Sequence, residues 1–491
     1  MANHSSLIRN MKFTQTLGLC LFLAFAAFTA NARNGYKIKV KFTDKQDSVA
    51  FLAHYFGKPL PTIYKTDSAR FDKNGVATFE SNEPLLGGIY IVMLSDKTTY
   101  FEFLLDNGAD MSITATASKL PQGLVFKNSP ENERFLSYIS YLKDFGERQK
   151  QLQDRLNTAA SAADTAAVRT ASKKQSQELI SYRRDYIQKY PGTLLSSIFK
   201  ALETPQVPEG DHLLPDGAKD STFAYRYYKA HYWDGFDFKD DRLIHTPIYD
   251  AKLEEYFNRV VVPSTDSIEK EANWILAQTR GQKELFKYTL WWLTRNAETS
   301  KIMGMDEVFV YLVENYYMKG DAYWLDHDAL EKYYDRARKI APNLIGNVAP
   351  EIKMQDIKGK SMPLSAVKAK YTVIAFWDPT CGHCLKEIPA LDSVYNAVLK
   401  SRGVKVYSVR TEGPETEWQK VINTHPGMEE WINVYDPTNT SDFRSKYDVY
   451  STPTIYLLDE NKIIRGKRLD HTNILEVIDL LEKQKSNASK S

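Results

Sequence analysis

Residues 371–391, YTVIAFWDPTCGHCLKEIPAL, place a short apolar run directly before a pair of cysteines. The run Thr372–Trp377 is apolar on both faces, which is typical of a strand buried inside a sheet. Residues 378–380 then break this strand. Cys381 opens a predicted helix whose apolar residues recur at helical spacing, namely Leu385, Ile388, Leu391, Tyr395 and Val398. The pair Cys381 and Cys384 is therefore expected where a buried strand turns into a helix.

This position decides the chemistry expected of the two thiols. A helix N-terminus presents unpaired N–H groups and a positive dipole end, so a thiolate there is stabilised and its pKa falls. The first sulfur of such a pair is the more exposed one, and the second points back into the protein. We therefore expect Cys381 to be the attacking nucleophile and Cys384 to resolve the mixed disulfide.

His383 lies between the two cysteines and can hold positive charge near the Cys381 thiolate. Such a charge favours the reduced form and makes the disulfide a stronger oxidant. The alternative is an exposed helix residue without an electronic role.

The first 32 residues have the pattern of a signal peptide. Arg9 and Lys12 are positive, and Leu17–Phe28 is an apolar run of the length of a signal core, too short for a stable membrane span. Residues 30–32 read Ala-Asn-Ala, a pattern that signal peptidases cut after. We expect an exported protein of the periplasm or cell envelope; the alternative is an uncleaved anchor helix.

Cysteine usage narrows the function. The chain has three cysteines, and Cys20 falls in the predicted signal peptide, so the mature protein keeps only Cys381 and Cys384. No disulfide framework is possible, and a bridge between these two closes a loop too short to stabilise the fold much. A redox disulfide, Cys381–Cys384, is the expected use. A zinc site needs about four ligands, and no second pair exists; we predict neither a metal nor a cofactor.

Length and composition indicate a multidomain globular protein. The chain has 491 residues, 43% hydrophobic and 26% charged, with a net charge of +2. This length predicts two to four domains. The sequence has no dense Lys/Arg cluster, so no nucleic-acid partner is expected. After signal removal, no stretch is long and apolar enough to predict an integral membrane span.

The chain before the cysteines reads as two accessory domains. Residues 33–126 show short strands, such as Tyr36–Phe42 with strict alternation, and predict an all-β sandwich or barrel-like domain. Asn74-Gly75 predicts a hairpin between Ala69–Phe71 and Val76–Phe79. Residues 127–340 predict an all-α domain. Its aromatic stretch Tyr225–Phe238 either lines a substrate groove or packs the domain.

Residues 341–491 alternate strands and helices and predict an α/β fold. Strands are expected at Val404–Val409, Trp431–Tyr435, Thr454–Leu458 and Lys462–Arg468, followed by a helix at Ile474–Leu481. Parallel strands separated by helices, then two antiparallel strands and a last helix, are the order of a thioredoxin-like fold.

Five motifs carry a family resemblance: Ala349-Pro350, Phe376-Trp377, Cys381-x-x-Cys384, Glu387-x-Pro389 and Thr452-Pro453-Thr454. With them, residues 346–485 resemble the TlpA/ResA group of exported thiol–disulfide oxidoreductases. The order of β, helical and thioredoxin-like parts is similar to envelope proteins that carry such accessory domains. For those leading parts, the resemblance implies architecture and no activity.

The resemblance also implies site residues. The Thr452–Pro453 bond is expected to be cis and to face the cysteines, and the helix to kink at Pro389. Together with the residues argued above, the predicted catalytic set is Cys381, Cys384, His383, Pro453 and Glu387, and the predicted substrate contacts are Trp377, Thr380 and Thr452.

Two positions depart from the pattern of related proteins. Many thioredoxins carry a buried Asp where this chain has Ala375, and Glu387 is a candidate replacement as proton acceptor for the resolving cysteine. Thr380 precedes Cys381 in place of a common Trp, which alters the surface around the nucleophile.

The predicted function is an exported thiol–disulfide oxidoreductase that acts on protein thiols or disulfides and works with an upstream redox partner. Its direction stays open, because Gly382-His383 matches protein disulfide isomerases whereas the TlpA/ResA resemblance favours a reductase. Two alternatives also stay open. One is an envelope protein that binds a client or surface and carries an accessory redox domain; the other is a thiol peroxidase.

Overall fold

The computed structural model describes residues 35–106 and 110–488. The predicted signal peptide, with Cys20, lies outside the described residues. The chain divides into two compact units, Met1–Tyr256 and Phe257–Ser491. This division runs through the predicted helical domain, so its helices belong to both units, which are described separately below. The predicted domain borders themselves stay predictions.

The β part of the first unit is a sandwich. Its described strands form two four-stranded sheets, with orders β4-β1-β7-β8 and β3-β2-β5-β6. All neighbouring strands are antiparallel except β1 and β7. Apolar side chains of both sheets share one core, and Ile38 and Val40 on the alternating strand β1 are completely buried. The strands are β1 Tyr36–Phe42, β2 Val49–His54, β3 Tyr64–Arg70, β4 Val76–Ser81, β5 Gly88–Leu94, β6 Tyr100–Leu105, β7 Asp110–Ala115 and β8 Leu124–Lys127.

The predicted hairpin at Asn74-Gly75 forms only next to its turn, where Phe71 and Ala77 make an isolated antiparallel bridge. The turn itself is present, because Gly75 has a φ of 72° and the Asp72 carboxylate accepts hydrogen bonds from the amides of Asn74 and Val76. The strand before it pairs with β2, however, and the strand after it pairs with β1. Turn residues determine the reversal of the chain, but burial of apolar faces decides which sheet each strand joins.

The helices of the first unit confirm the helical pattern from residue 131 onward. They are α1 Pro130–Asn157, α2 Ala162–Lys189, α3 Leu194–Ala201, α4 Phe223–His231 and α5 Tyr249–Glu255. The Ser161 hydroxyl caps α2 by accepting the Asp164 amide, and Gly192 with a φ of 78° follows its end.

The aromatic stretch Tyr225–Phe238 mainly packs the first unit. Tyr232, Trp233, Phe236 and Phe238 are buried, whereas Tyr225 is exposed. The Tyr232 hydroxyl donates to the Glu255 carboxylate at 3.0 Å, and the ring of Trp233 packs edge-on against the ring of Tyr232. The packing interpretation of this stretch therefore fits the structure better than a substrate groove.

The second unit begins with further helices: α6 Thr265–Thr279, α7 Lys283–Thr299, α8 Asp306–Leu312 and α9 His327–Ile340. Asp326 caps α9, because its carboxylate accepts the Ala329 amide at 2.8 Å. The inner faces of these helices are apolar, and Leu285, Leu290 and Leu312 are completely buried.

The rest of the second unit is an α/β thioredoxin-like domain. Its seven-stranded sheet has the order β10-β9-β13-β12-β11-β14-β15. The central strands β11, β12 and β13 are parallel, and β14 and β15 extend the sheet antiparallel. The strands are β9 Lys353–Asp356, β10 Ser361–Pro363, β11 Tyr371–Trp377, β12 Val404–Arg410, β13 Ile432–Tyr435, β14 Thr454–Asp459 and β15 Ile464–Lys467; the helices are α10 Cys384–Val394, α11 Glu415–Thr424, α12 Phe443–Lys446 and α13 Ile474–Ala488.

Two local expectations for this domain need correction. The helix after β11 begins at Cys384 and not at Cys381, which lies in the turn before it. Its inward face is formed by Ile388 and Leu391, which are completely buried, whereas Leu385 is 44% exposed. Leu385 follows the end of the turn by one residue, so its side chain lies outside the helix face that packs on the sheet.

The contrast within α10 gives a stability prediction. Ile388→Ala should lower the free energy of unfolding of the second unit by about 3 kcal/mol, because it leaves a cavity in the core. Leu385→Ala, on the same helix, should change it by less than about 0.5 kcal/mol, since much of this side chain is already in water. Urea unfolding followed by tryptophan fluorescence measures both; equal losses would contradict the assigned helix face.

Candidate active site

The two thiols lie where β11 passes into α10. The central strand β11 ends at Trp377, a turn follows, and the helix begins at Cys384. Both cysteines are free thiols; Cys381 is partly exposed, and Cys384 is completely buried. The strand is fixed on both sides by β12 and β14, so the turn that carries the thiols stands on the most buried part of the sheet.

Hydrogen bonds at the helix start converge on the Cys381 sulfur. The Cys384 amide donates to Cys381 Sγ at 3.3 Å, and Cys381 Sγ donates to the carbonyl oxygen of Thr452 at 3.4 Å. Partial burial acts to raise the pKa of Cys381, but hydrogen bonds from the Cys384 thiol and amide, the Thr452 side chain and the His383 amide outweigh it and lower the pKa. Cys381 therefore has the properties of the nucleophile.

Cys384 has the opposite environment. Burial raises the pKa of the Cys384 thiol to about 11, and the proximity of Cys381 acts in the same direction, whereas a hydrogen bond from the Asp378 amide opposes it. Its side chain is part of the apolar core under the sheet. At neutral pH Cys384 is therefore a protonated thiol.

The predicted cis peptide bond is confirmed: Thr452–Pro453 is cis. The bond directly precedes β14, which pairs with β11 through Thr454 and Phe376. This pairing brings the loop of residues 448–453, here called the cis-Pro loop, to the redox pair. Its backbone reaches Cys381 through the Thr452 carbonyl.

Glu387 lies on the first turns of α10, three residues after Cys384, and is buried. Its Oε1 accepts the backbone N–H of His471 at 2.5 Å, and its Oε2 lies 2.9 Å from His471 Nδ1. Both carboxylate oxygens are therefore engaged by one residue of the loop before α13.

The remaining predicted site residues differ in exposure. Thr380 and His383 are exposed on the turn, and the Thr380 hydroxyl donates to the Asp378 carboxylate at 2.7 Å. Trp377 is completely buried, and its indole N–H donates to the Ser408 hydroxyl at 2.8 Å. The expected substrate contact of Trp377 is therefore contradicted, because the side chain of the last β11 residue points into the core.

His471 and Asp378 belong to this site and were not anticipated. The sequence pattern marks Asp378 only as one of the residues that end the strand. Its position directly before the cysteines is nevertheless a local signal that it could belong to the site. His471 has no such signal, since it lies 84 positions from Glu387.

Two other kinds of feature are absent from the described residues: a metal-binding cluster and a membrane-spanning helix. Across residues 35–106 and 110–488, no group of three or more His, Cys, Asp or Glu side chains is arranged to hold a metal ion. Over the same ranges, no helix has the length and apolar character needed to cross a membrane.

Three family models match separate parts of the chain. Residues 36–135 match a domain of unknown function, DUF4369, and residues 149–343 match another, DUF5106. Residues 345–467 match the AhpC/TSA family. The chemistry-bearing residues Cys381, Cys384 and Pro453 fall within this last segment.

Curated relatives resemble the same part of the chain. "Thiol-disulfide oxidoreductase ResA" of Geobacillus kaustophilus is 26% identical over 117 residues, covering 24% of this chain and 64% of the relative. ResA of Bacillus subtilis is 28% identical over 123 residues, covering 24% of this chain and 65% of the relative. The chain thus spans slightly less than two thirds of the length of these relatives.

Solved structures from other bacteria are also similar. A domain of a possible thiol-disulfide isomerase from Cytophaga hutchinsonii is 38% identical, covering 30% of this chain and 99% of that one, with a TM-score of 0.28. A thioredoxin-like protein from Bacteroides caccae is 22% identical, covering 57% of this chain and 99% of that one, with a TM-score of 0.45.

The fold, the paired thiols and the family match agree on one segment of the chain. Its sheet carries a C-x-x-C pair at a helix start and a cis-proline beside it. Residues 345–467 therefore belong to the AhpC/TSA family as a thioredoxin-like domain homologous to the ResA-type thiol-disulfide oxidoreductases.

Proposed function

We propose that the protein is an exported thiol–disulfide oxidoreductase that exchanges disulfides with protein clients through Cys381 and Cys384. The observation that carries this proposal is the contrast between the two sulfurs. Cys381 is accessible and its pKa is lowered, whereas Cys384 is buried and its pKa is raised to about 11. Cys381 thus forms its thiolate at lower pH than an ordinary cysteine, whereas Cys384 stays protonated at neutral pH until the resolving step.

In the reductive direction the Cys381 thiolate attacks one sulfur of a client disulfide. The client S–S bond breaks, a Cys381–client S–S bond forms, and the leaving client thiolate takes a proton from solvent. Cys384 then loses its proton to a base and attacks the Cys381 sulfur, which forms the Cys381–Cys384 bond and releases the second client thiol. Two electrons pass to the client, and an upstream dithiol restores the pair; the oxidative direction reverses these steps.

The cis-Pro loop is proposed to bind the client. In the free protein the Thr452 carbonyl accepts the Cys381 thiol, and this bond is lost when Cys381 becomes a thiolate. The backbone at Thr452 and Pro453 is then available to pair with an extended client segment, as in other cases of strand addition. Exposed Thr380 and His383 flank the same sulfur and complete the proposed contact surface.

Glu387 is proposed as the proton acceptor for Cys384. Glu387 lies three residues after Cys384 on α10, one turn of the helix further on. Its side chain is buried, as is the Cys384 thiol. His471 contacts both carboxylate oxygens and holds the group in place, and each oxygen keeps a second lone pair that can take up a proton. Glu387→Gln should therefore slow resolution of the mixed disulfide more than its formation.

The reduction potential of the Cys381–Cys384 couple distinguishes the two directions. Equilibration with dithiothreitol or glutathione buffers measures it. A value near about −270 mV indicates a thioredoxin-like reductant, and a value of roughly −120 to −180 mV indicates an oxidant or isomerase.

The location and the leading domains are part of the proposal. The predicted signal peptide supports an envelope location, and two matched domains of unknown function precede the redox domain. We expect these regions to recognise a client or surface that the redox domain serves. If removing residues 35–340 left the rate on protein clients unchanged, client capture by this region would be excluded.

Exchanging each cysteine separately tests the assigned roles. Cys381→Ser should reduce disulfide exchange with insulin to the uncatalysed rate, because it removes the one accessible thiol of residues 35–106 and 110–488. Cys384→Ser should retain the first attack and accumulate a mixed disulfide, because the resolving thiol is lost. Mass spectrometry of quenched reactions shows the adduct. Exchange that persists in Cys381→Ser, or rapid turnover of hydrogen peroxide by the wild type, would contradict the proposal.

The pH dependence of alkylation tests the electrostatics. Because the pKa of Cys381 is lowered, its thiolate should be present, and its reaction with iodoacetamide should reach a plateau, at lower pH than for an ordinary cysteine. Cys384 should stay unreactive until the pH approaches its pKa of about 11.

A matched variant provides the control for this profile. Cys384→Ala removes the side-chain donor whose hydrogen bond lowers the pKa of Cys381, so its Cys381 midpoint should move upward. An unchanged midpoint would mean that the neighbouring thiol has no such effect.

A further inference from the structure

The cis-Pro loop is held by a helix from outside the thioredoxin-like domain. Arg336 on α9 forms a two-pronged ion pair with Asp448, the first residue of the loop: Nη1 donates to Oδ1, and Nη2 donates to Oδ2 at 3.1 Å. The Asp448 side chain is only 2% exposed. Two parallel bonds between a guanidinium and a carboxylate fix orientation as well as distance.

Two further groups complete this ion pair. Arg468, at the end of β15, donates from Nη2 to Asp448 Oδ2 at 3.2 Å. On the other side, Arg336 Nε lies 3.6 Å from Glu298 Oε1 of α7. Two cations thus compensate the buried carboxylate. Only Arg336 comes from the helices that precede the sheet in the second unit, residues 265–343, here called the helical segment.

The same helix contacts the loop at a second point. Tyr450 lies two residues after Asp448 and is 63% exposed, and the charged groups of Arg336 and Lys339 lie 5.3 Å and 5.6 Å from the centre of its ring. Arg336 and Lys339 are neighbours on one face of α9. The helix therefore holds the start of a loop that ends at Thr452 and Pro453, and it also contacts the middle of this loop.

A buried network ties the helical segment to the sheet beside this loop. Lys467 on β15 is buried, and its Nζ donates to Asp306 Oδ2 at 2.5 Å and to Asn343 Oδ1 at 2.6 Å. The Tyr456 hydroxyl on β14 also lies 3.4 Å from Asn343 Oδ1 and donates to the Tyr447 carbonyl at 2.6 Å. The residue directly before the loop is thereby connected to the helical segment.

We propose that Arg336 is a positioning residue for disulfide exchange: through Asp448 it fixes the cis-Pro loop, and with it the Thr452 carbonyl, against Cys381. The inference rests on the proposed function and assigns part of the redox site to the segment before the thioredoxin-like domain. A client that pairs with the loop backbone needs the loop in one place, whereas a small disulfide needs only the Cys381 thiolate.

The test compares a protein client with a small disulfide in the full chain. In Arg336→Gln, kcat/KM for insulin reduction should fall about tenfold, mainly through KM, because a displaced loop misaligns the client. The rate of reduction of 5,5′-dithiobis(2-nitrobenzoate) by the pre-reduced protein should change less than about twofold, since this reagent has no peptide backbone to align.

Two variants serve as controls. Arg338→Gln alters an exposed ion pair with Asp335 on the same helix, 60% and 61% exposed, and should change neither rate. Asp448→Asn removes the carboxylate of the proposed pair and should reproduce the effect of Arg336→Gln. In the double variant, the fold-loss of kcat/KM for insulin should be smaller than the product of the two single fold-losses, because both substitutions break the same contact.

The outcomes separate the two proposals. If the wild type reduced neither substrate, the proposed function would fail. If the wild type were active and Arg336→Gln lowered both rates equally, or neither, the positioning role would be overturned. Rates are expressed per reactive Cys381, counted by alkylation, so partial unfolding does not mimic the expected difference. Should Arg336→Gln not fold, Arg336→Lys keeps a cation beside Asp448, loses the two-pronged geometry and gives the same comparison.

Discussion

The site depends on keeping two sulfurs close in the chain and different in environment. A turn of six residues, 378–383, separates Trp377 from Cys384, and the first helical amide points at Cys381 Sγ from 3.3 Å. The same change of direction exposes one thiol and buries the other. A strand fixed by neighbours on both sides makes this possible, because the turn cannot relax without disturbing the centre of the sheet.

The sequence determined the parts of the site that depend on local patterns. The apolar run of β11, the helix after the cysteines and the strand after Pro453 follow from short-range periodicity and turn chemistry. The cis bond at Pro453 followed from the family resemblance and not from periodicity. The apolar pattern also predicts correctly that Trp377 ends a buried strand, but the burial of its side chain is incompatible with the substrate contact expected of it.

Contacts between distant parts of the chain were beyond reach of the sequence. Glu387 and His471 are 84 positions apart, and Arg336 and Asp448 are 112 apart. The turn at Asn74-Gly75 illustrates the same limit, since its residues predicted a reversal correctly but not the sheets that β3 and β4 join. Local propensity fixes a bend or a helix end, whereas the choice of partner depends on which surfaces are buried together.

The buried charges beside the cis-Pro loop connect the preceding helices to the geometry of this loop. Asp448 and Lys467 lie inside the second unit and would be costly there without Arg336 and Asp306. If the helical segment were absent, water would reach both groups and solvate them, so the sheet would keep its core. The Asp448 carboxylate would, however, lose the fixed orientation that its bidentate pair with Arg336 imposes, because water does not impose one. An isolated thioredoxin-like domain is therefore expected to keep its pair of thiols while its cis-Pro loop becomes less ordered.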